Sequence, residues 1–169
     1  MRFKLEDVPA FYQGYIKQVE GSELLPSLAD SLALVVDVCQ HLDETQALFR
    51  YAEDKWSIKD RMLHLVDSER VFAYRAMRFG RNDQTELSGF DQDDYVRDAM
   101  ADKFALSDLL TQLKNMRQTT IDLFTAFSET ELERSGKSNG VRMTVEMIGY
   151  IICGHTYHHT KVIQERYLV

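Results

Sequence analysis

Apolar side chains recur at spacings of three and four through four long stretches of this chain, with polar, glycine-containing links between them. That period belongs to amphipathic helices with one buried face. The first stretch runs from about Leu24 to Leu42, with Leu25, Leu28, Leu32, Val35, Cys39 and Leu42 on one side. The second opens on Ser57-Ile58-Lys59-Asp60, a capping box, and Trp56 just before it can pack back onto the helix. Its stripe passes through Ile58, Met62, Leu65, Phe72, Ala76 and Phe79, and Gly80 is a natural stop. The third spans roughly Leu106 to Phe127, with Leu109, Leu113, Met116, Thr120 and Phe124 between them on one face. The fourth carries Val145, Ile148, Ile152, His155, His159, Val162 and Arg166 at the same spacings. A shorter amphipathic segment over residues 8–19 places Phe11, Tyr12, Tyr15 and Val19 together, and Gly21-Ser22 ends it. No stretch sustains period-two alternation, so the pattern predicts no sheet.

The links suggest how the helices are connected. A short one joins the first two helices. From Arg81 to Lys103 the periodicity fails, leaving a polar, acidic connection that marks a crossover or a functional lid. Its Asp91-Gln92-Asp93-Asp94-Tyr95 run lacks the glycine and glutamate of a calcium loop and reads as a solvated turn. Ser128 to Leu132 starts a short extra turn, and Gly136 to Gly140 is a turn-rich link to the fourth helix. The pattern predicts an all-α fold, one four-helix-bundle domain over residues 1–169, with a crossover between helices two and three.

Composition narrows the function classes. The formal net charge is −7, and no basic run exists to neutralise phosphates, which argues against a nucleic-acid partner. The apolar run from Met147 to Cys153 is far too short to span a bilayer. Met1 to Glu6 has no apolar core of a signal peptide, so the expectation is a soluble, cytoplasmic protein. Cys39 and Cys153 are too few and too far apart for a disulfide framework or a thiolate metal site.

The candidate chemistry lies in the histidines. Three of the five fall within Gly154-His155-Thr156-Tyr157-His158-His159. His155 and His159 are one helical turn apart in the apolar stripe, so both can reach one ion. Buried imidazoles without partners are costly, by about 1–3 kcal/mol each, and a shared metal ion satisfies them; bonding to other core side chains is the alternative. His158 sits about 60° off the seam at ~100° per residue, better placed for the rim. His41 reads as a solvated or capping residue. His64 lies at the edge of the second helix's stripe, and its phase alone leaves its role open. Glu69, mid-stripe on the same helix, pairs with an arginine or steadies a histidine, and the sequence leaves both open. Thr156 stands where a zincin helix has its glutamate, and no Glu-x-x-His motif of a di-iron bundle occurs. A mononuclear site of about three imidazoles with an open position remains, the pattern of a catalytic centre.

These residues also carry a resemblance. Trp56-Ser57-Ile58-Lys59-Asp60 followed by His64-Leu65-Val66-Asp67-Ser68-Glu69-Arg70 resembles the second-helix signature of the DinB-like superfamily, including YfiT-like proteins. Ala73-Tyr74-Arg75, Gly89-Phe90-Asp91-Gln92-Asp93, the segment from Pro9 to Val19 and Gly154 to His159 are similar to the same group. The resemblance implies an up-down-down-up bundle, usually dimeric, holding a divalent metal through one histidine of helix two and an i, i+4 pair of helix four. By position those ligands are His64, His155 and His159, with zinc or nickel as the expected ion. It also implies a thiol-dependent S-transferase joining a low-molecular-weight thiol to a small electrophile. The other expectations are a metal-dependent hydrolase, or a metal-binding stress-response scaffold without catalysis.

Overall fold

The computed structural model describes residues 1–168. Two 3-10 turns, Leu5–Asp7 and Ala10–Tyr12, lead into a one-turn helix α1 (Gln13–Ile16). The long helix α2 (Leu24–Cys39) and short α3 (Glu44–Leu48) precede α4 (Ile58–Gly80). Helix α5 (Gln92–Ala99) lies in the crossover before α6 (Leu106–Thr125). A short α7 (Glu129–Glu133), a hairpin of β1 (Ser135–Ser138) and β2 (Val141–Thr144), and the long α8 (Val145–Arg166) complete the chain.

Local chemistry sets the helix starts that position the site. Ser57 Oγ accepts the Asp60 N–H at 3.1 Å while the Asp60 carboxylate accepts the Ser57 N–H at 2.9 Å, which caps α4 as its sequence predicts. Thr144 Oγ1 accepts the Met147 N–H at 3.1 Å and caps α8. Each cap satisfies N–H groups that have no partner in the first helical turn.

The four long helices pack in a ring: α2 against α8 and α6, and α4 against α6 and α8. Directions follow from the residues that meet. Gly149 near the start of α8 packs on Leu24 at the start of α2, so these helices run parallel. Arg61 at the start of α4 bonds Tyr167 just past the end of α8, so those two are antiparallel. Gly80 at the end of α4 packs on Phe127 just past the end of α6, so α4 and α6 are parallel. The topology is up-down-down-up. Two consecutive long helices pointing the same way need a return along their whole length, roughly 30 Å for twenty residues, and the link through α5 makes it.

The core has two apolar clusters. One gathers Phe72, Phe79, Phe124, Ile148, Ile151 and Ile152; the other gathers Val35, Met62, Leu65, Leu109, Leu113 and Ile163. Between them lies Arg117 of α6, fully buried. Its Nε and Nη2 donate to the two carboxylate oxygens of Glu69 on α4 at 2.8 and 2.9 Å. Nη1 donates to the Leu28 carbonyl at 2.5 Å and to Ser31 Oγ at 2.7 Å, both on α2. Nη2 also donates to Thr156 Oγ1 on α8 at 2.9 Å. All five guanidinium N–H donors are used, and the side chain ties together the four long helices. Glu69 therefore pairs with an arginine, the first of its two expected roles.

Several sequence expectations need correction. The fold has a small sheet: Ser135 pairs with Thr144 and Ser138 with Val141 around Asn139-Gly140, both at positive φ. Asn-Gly is the hairpin signature for such a turn, but strands of four residues are too short to show a period. The first long helix stops at Cys39, because Asp43 caps a separate helix with the Gln46 N–H at 2.8 Å. The crossover is not a solvated loop throughout, since Asp91 accepts the N–H groups of Asp93 and Asp94 and starts α5. Phe11, Leu25 and Arg166 face outward, away from the stripes that included them. Helix α8 is buried on every side from Val145 to Thr156, because the N-terminal segment covers the side that the other long helices leave open.

The Arg117 network yields a stability prediction. Glu69→Ala or Arg117→Ala alone leaves an unpaired charge in the core and should cost about 3–5 kcal/mol in urea unfolding. Glu69→Leu combined with Arg117→Met should cost less than the two alanine variants added together.

Candidate metal centre

Where α4 and α8 cross antiparallel, the structure brings three histidines together. His155 and His159 project from successive turns of α8, and His64 faces them from the second turn of α4. All three are buried. His155 Nε2 lies 3.0 Å from His64 Nε2 and 3.0 Å from His159 Nε2. One nitrogen with one lone pair or one proton cannot make two good hydrogen bonds to two such neighbours. Three nitrogens converging at this spacing suit a cation, because donors each ~2.0–2.1 Å from one tetrahedral zinc stand roughly 3.3 Å apart. The three side chains can hold one ion, and an all-imidazole set suits zinc, copper, iron or nickel.

Electrostatics favour the same use. Burial pushes the His64 imidazole down to about 4, with the Arg61 charge adding to it. Burial also holds His155 and His159 well below the ordinary histidine value, reinforced by the neighbouring imidazoles. The rings are therefore neutral at pH 7, the form that binds an ion.

Aromatic side chains wall the site. Trp56 packs 4.8 Å from the His64 ring centre and lies nearly parallel to His159 at 6.2 Å. Tyr15 stands edge-on to His155 at 5.2 Å. Gly154 makes that approach possible, since a Cβ there would lie 2.1 Å from the Tyr15 carbonyl oxygen. Ser68 Oγ is 3.4 Å from His64 Nδ1.

Arg61 is the discordant neighbour. Its Nη1 donates to His159 Nδ1 at 3.0 Å, and its Nε donates to the Tyr167 hydroxyl at 2.9 Å. A histidine bound through Nε2 normally carries its proton on Nδ1 and donates it, whereas a guanidinium only donates. The Arg61 contact thus matches the opposite tautomer of His159 and adds a positive charge on the Nδ1 side of the ring, away from the converging Nε2 atoms.

Two cavities meet the centre. One of about 350 Å³ reaches His64 and His155, and one of about 460 Å³ reaches His159 and His158. His158 is half-buried, 5.4 Å from the Tyr15 ring centre, outside the converging trio as its helical phase predicts. His41 is exposed beyond the end of α2. Sequence reasoning missed Arg61, Ser68 and Arg75 as site residues. The first two lie three residues before and four after His64, one helical turn to either side, which was the available signal.

A four-helix bundle with three converging imidazoles at a helix crossing defines the class. The sequence model of the DinB superfamily matches residues 27–163, and the chain belongs to that superfamily. Among solved structures it is similar to YfiT from Bacillus subtilis, described as a probable metal-dependent hydrolase with an unusual four-helix bundle topology. That likeness has a TM-score of 0.76 at 16% identity, covering 84% of this chain and 82% of the other. No curated protein matches. Among the described residues, no helix is long and apolar enough to cross a membrane.

Three predictions rest on the centre's geometry and burial. His64→Ala, His155→Ala and His159→Ala should each sharply weaken zinc binding in calorimetry, His158→Ala should change it little, and His41→Ala not at all. Arg61→Gln, whose carbonyl can accept from Nδ1, should tighten binding roughly tenfold. The metal-free chain should also lose stability on acidification. Above the ordinary value of 6.5 the rings are neutral whether folded or not; below it the unfolded chain takes up protons that buried His64 refuses until about 4. Urea midpoints should fall through that window, and a flat profile would contradict the burial of neutral rings.

Proposed function

We propose that this chain is a divalent-metal-dependent enzyme that transfers a low-molecular-weight thiol onto a small electrophile, with His64, His155 and His159 holding the ion. The observation that carries this reading is a trio of neutral imidazoles beside open cavities, with no carboxylate hydrogen-bonded to any of the three rings among the described residues. A divalent ion held there supplies a positive charge that favours thiolate over thiol. Hydrolysis would also call for a base placed to take a proton from water.

The chain's own sulfur atoms support an external thiol. Cys39 and Cys153 are buried, and burial pushes both thiols up to about 12, so neither serves as a nucleophile at neutral pH. Tyr12, Tyr15 and Phe72 line the approach to His155 with apolar surface, which shields a sulfur nucleophile from water. A structural metal site is normally closed by four protein ligands. Here three side chains converge, which speaks against a purely structural scaffold.

The second reading is hydrolysis, favoured by the similarity to YfiT. In that case His158, half-buried and with its ring centre 5.1 Å from that of His159, is placed to move a proton.

Spectroscopy and turnover separate the readings. The cobalt-loaded protein should develop a sulfur-to-metal charge-transfer band with 2-mercaptoethanol. Conjugation of 1-chloro-2,4-dinitrobenzene should need both metal and thiol and should vanish in His155→Ala. Metal-dependent cleavage of 4-nitrophenyl acetate that thiol inhibits would instead establish the hydrolase.

A further inference from the structure

We infer that the cavity beside His64 and His155 takes a small organic monocarboxylate, and that Arg75 pairs with its carboxylate. This names the substrate class of that pocket. It rests on the proposed function only in taking the pocket to serve the three-histidine centre.

Arg75 lies on α4 and is only 3% exposed. Its Nη2 donates to the Ser88 carbonyl at 3.0 Å, and its guanidinium carbon sits 5.7 Å from the centre of the Phe72 ring. No carboxylate forms an ion pair with it among the described residues, in contrast to Arg117, which holds Glu69 with two hydrogen bonds. A buried charge without a counter-ion is costly unless a ligand supplies one. The remaining Arg75 N–H groups are not sealed in the core, since Ser138 Oγ is the buried side-chain atom found without a partner among the described residues. The Tyr12 hydroxyl is within reach of one of them, and the others are left for whatever enters the cavity that Arg75 lines.

The other walls say what the rest of the ligand is. Phe72 touches both ends of the space, 5.7 Å from the guanidinium carbon and 6.3 Å from the His155 ring centre. Tyr12 packs on Phe72 at 6.0 Å, and Tyr15 on His155 at 5.2 Å. A ligand with its carboxylate on Arg75 therefore lays an apolar body along these rings and brings its far end to the histidines. The volume of about 350 Å³ suits a small molecule. The same cavity is lined by Asp91 and Asp93, which oppose a dianion. One guanidinium in a cavity that also holds two carboxylates favours a singly charged group, for which the planar fork of arginine is suited.

The test is calorimetric titration of the full-length protein, first without metal and then with one equivalent of zinc. Its probes are 4-phenylbutyrate, the uncharged 4-phenylbutanamide and 3-phenylpropyl phosphate. The carboxylate should bind roughly tenfold tighter than the amide in both states, and the phosphate ester no tighter than the amide. The preference should vanish in Arg75→Gln and partly return in Arg75→Lys, with circular dichroism confirming that both variants fold. Equal affinity for acid and amide in the unmodified chain overturns the inference whatever the variants do, as does a preference that survives Arg75→Gln. A tighter phosphate ester overturns the monocarboxylate class. A carboxylate preference without thiol-dependent turnover leaves this inference standing and removes the transferase reading.

Discussion

The bundle depends on one buried cation. Arg117 reaches α2, α4 and α8 from α6, and all its donors are satisfied. Apolar packing alone is tolerant of small rotations and slips between helices. A guanidinium fork that must meet a carboxylate, a carbonyl and two hydroxyls at hydrogen-bond distance is much less so. The network lies between the two apolar clusters and sets the register of the helices that carry the histidines. Glu69 is five residues after His64, and Thr156 directly follows His155.

That register matters because the centre has no local scaffold of its own. His155 and His159 are related by helix geometry and would face one way in any α-helix. His64 comes from a chain segment 91 residues away and must arrive at the same depth and angle. A displacement of α4 by one residue would move it by ~1.5 Å and rotate it by ~100°, enough to break the trio. The capped start of α4 and the Glu69–Arg117 pair constrain both ends of the stretch that carries His64.

What could be read in the sequence was local. The Ser57–Asp60 box, the helix seams and the histidine pair each depend on residues within a turn or two of one another, and they appear where the pattern places them, apart from the outward Leu25 and Arg166 and the end of the first seam at Cys39. His64 looked peripheral by phase because α4 is buried on nearly all sides from Ile58 to Val66, so no single stripe defines its inner face. Family resemblance, not periodicity, pointed to it. Arg117 was invisible for the opposite reason: its acceptors come from three other helices, and a charged residue at that position otherwise reads as surface. The close approach of Tyr15 to Gly154 is likewise a contact between distant segments. The missed hairpin left a short signal, Asn139-Gly140, that strand periodicity could not reveal.

Helix α8 is enclosed on every side along its first half, and it follows the other three long helices in the chain. On the ribosome α2, α4 and α6 therefore emerge before the element that fills the space between them. At ~5–20 residues per second, the interval between completing α4 and completing α8 is on the order of ten seconds. Throughout it the apolar faces of three helices, the Arg117 side chain and a lone His64 have no finished core. The nascent chain is thus exposed to aggregation and to premature capture of metal by an incomplete set of ligands, hazards that end when α8 inserts.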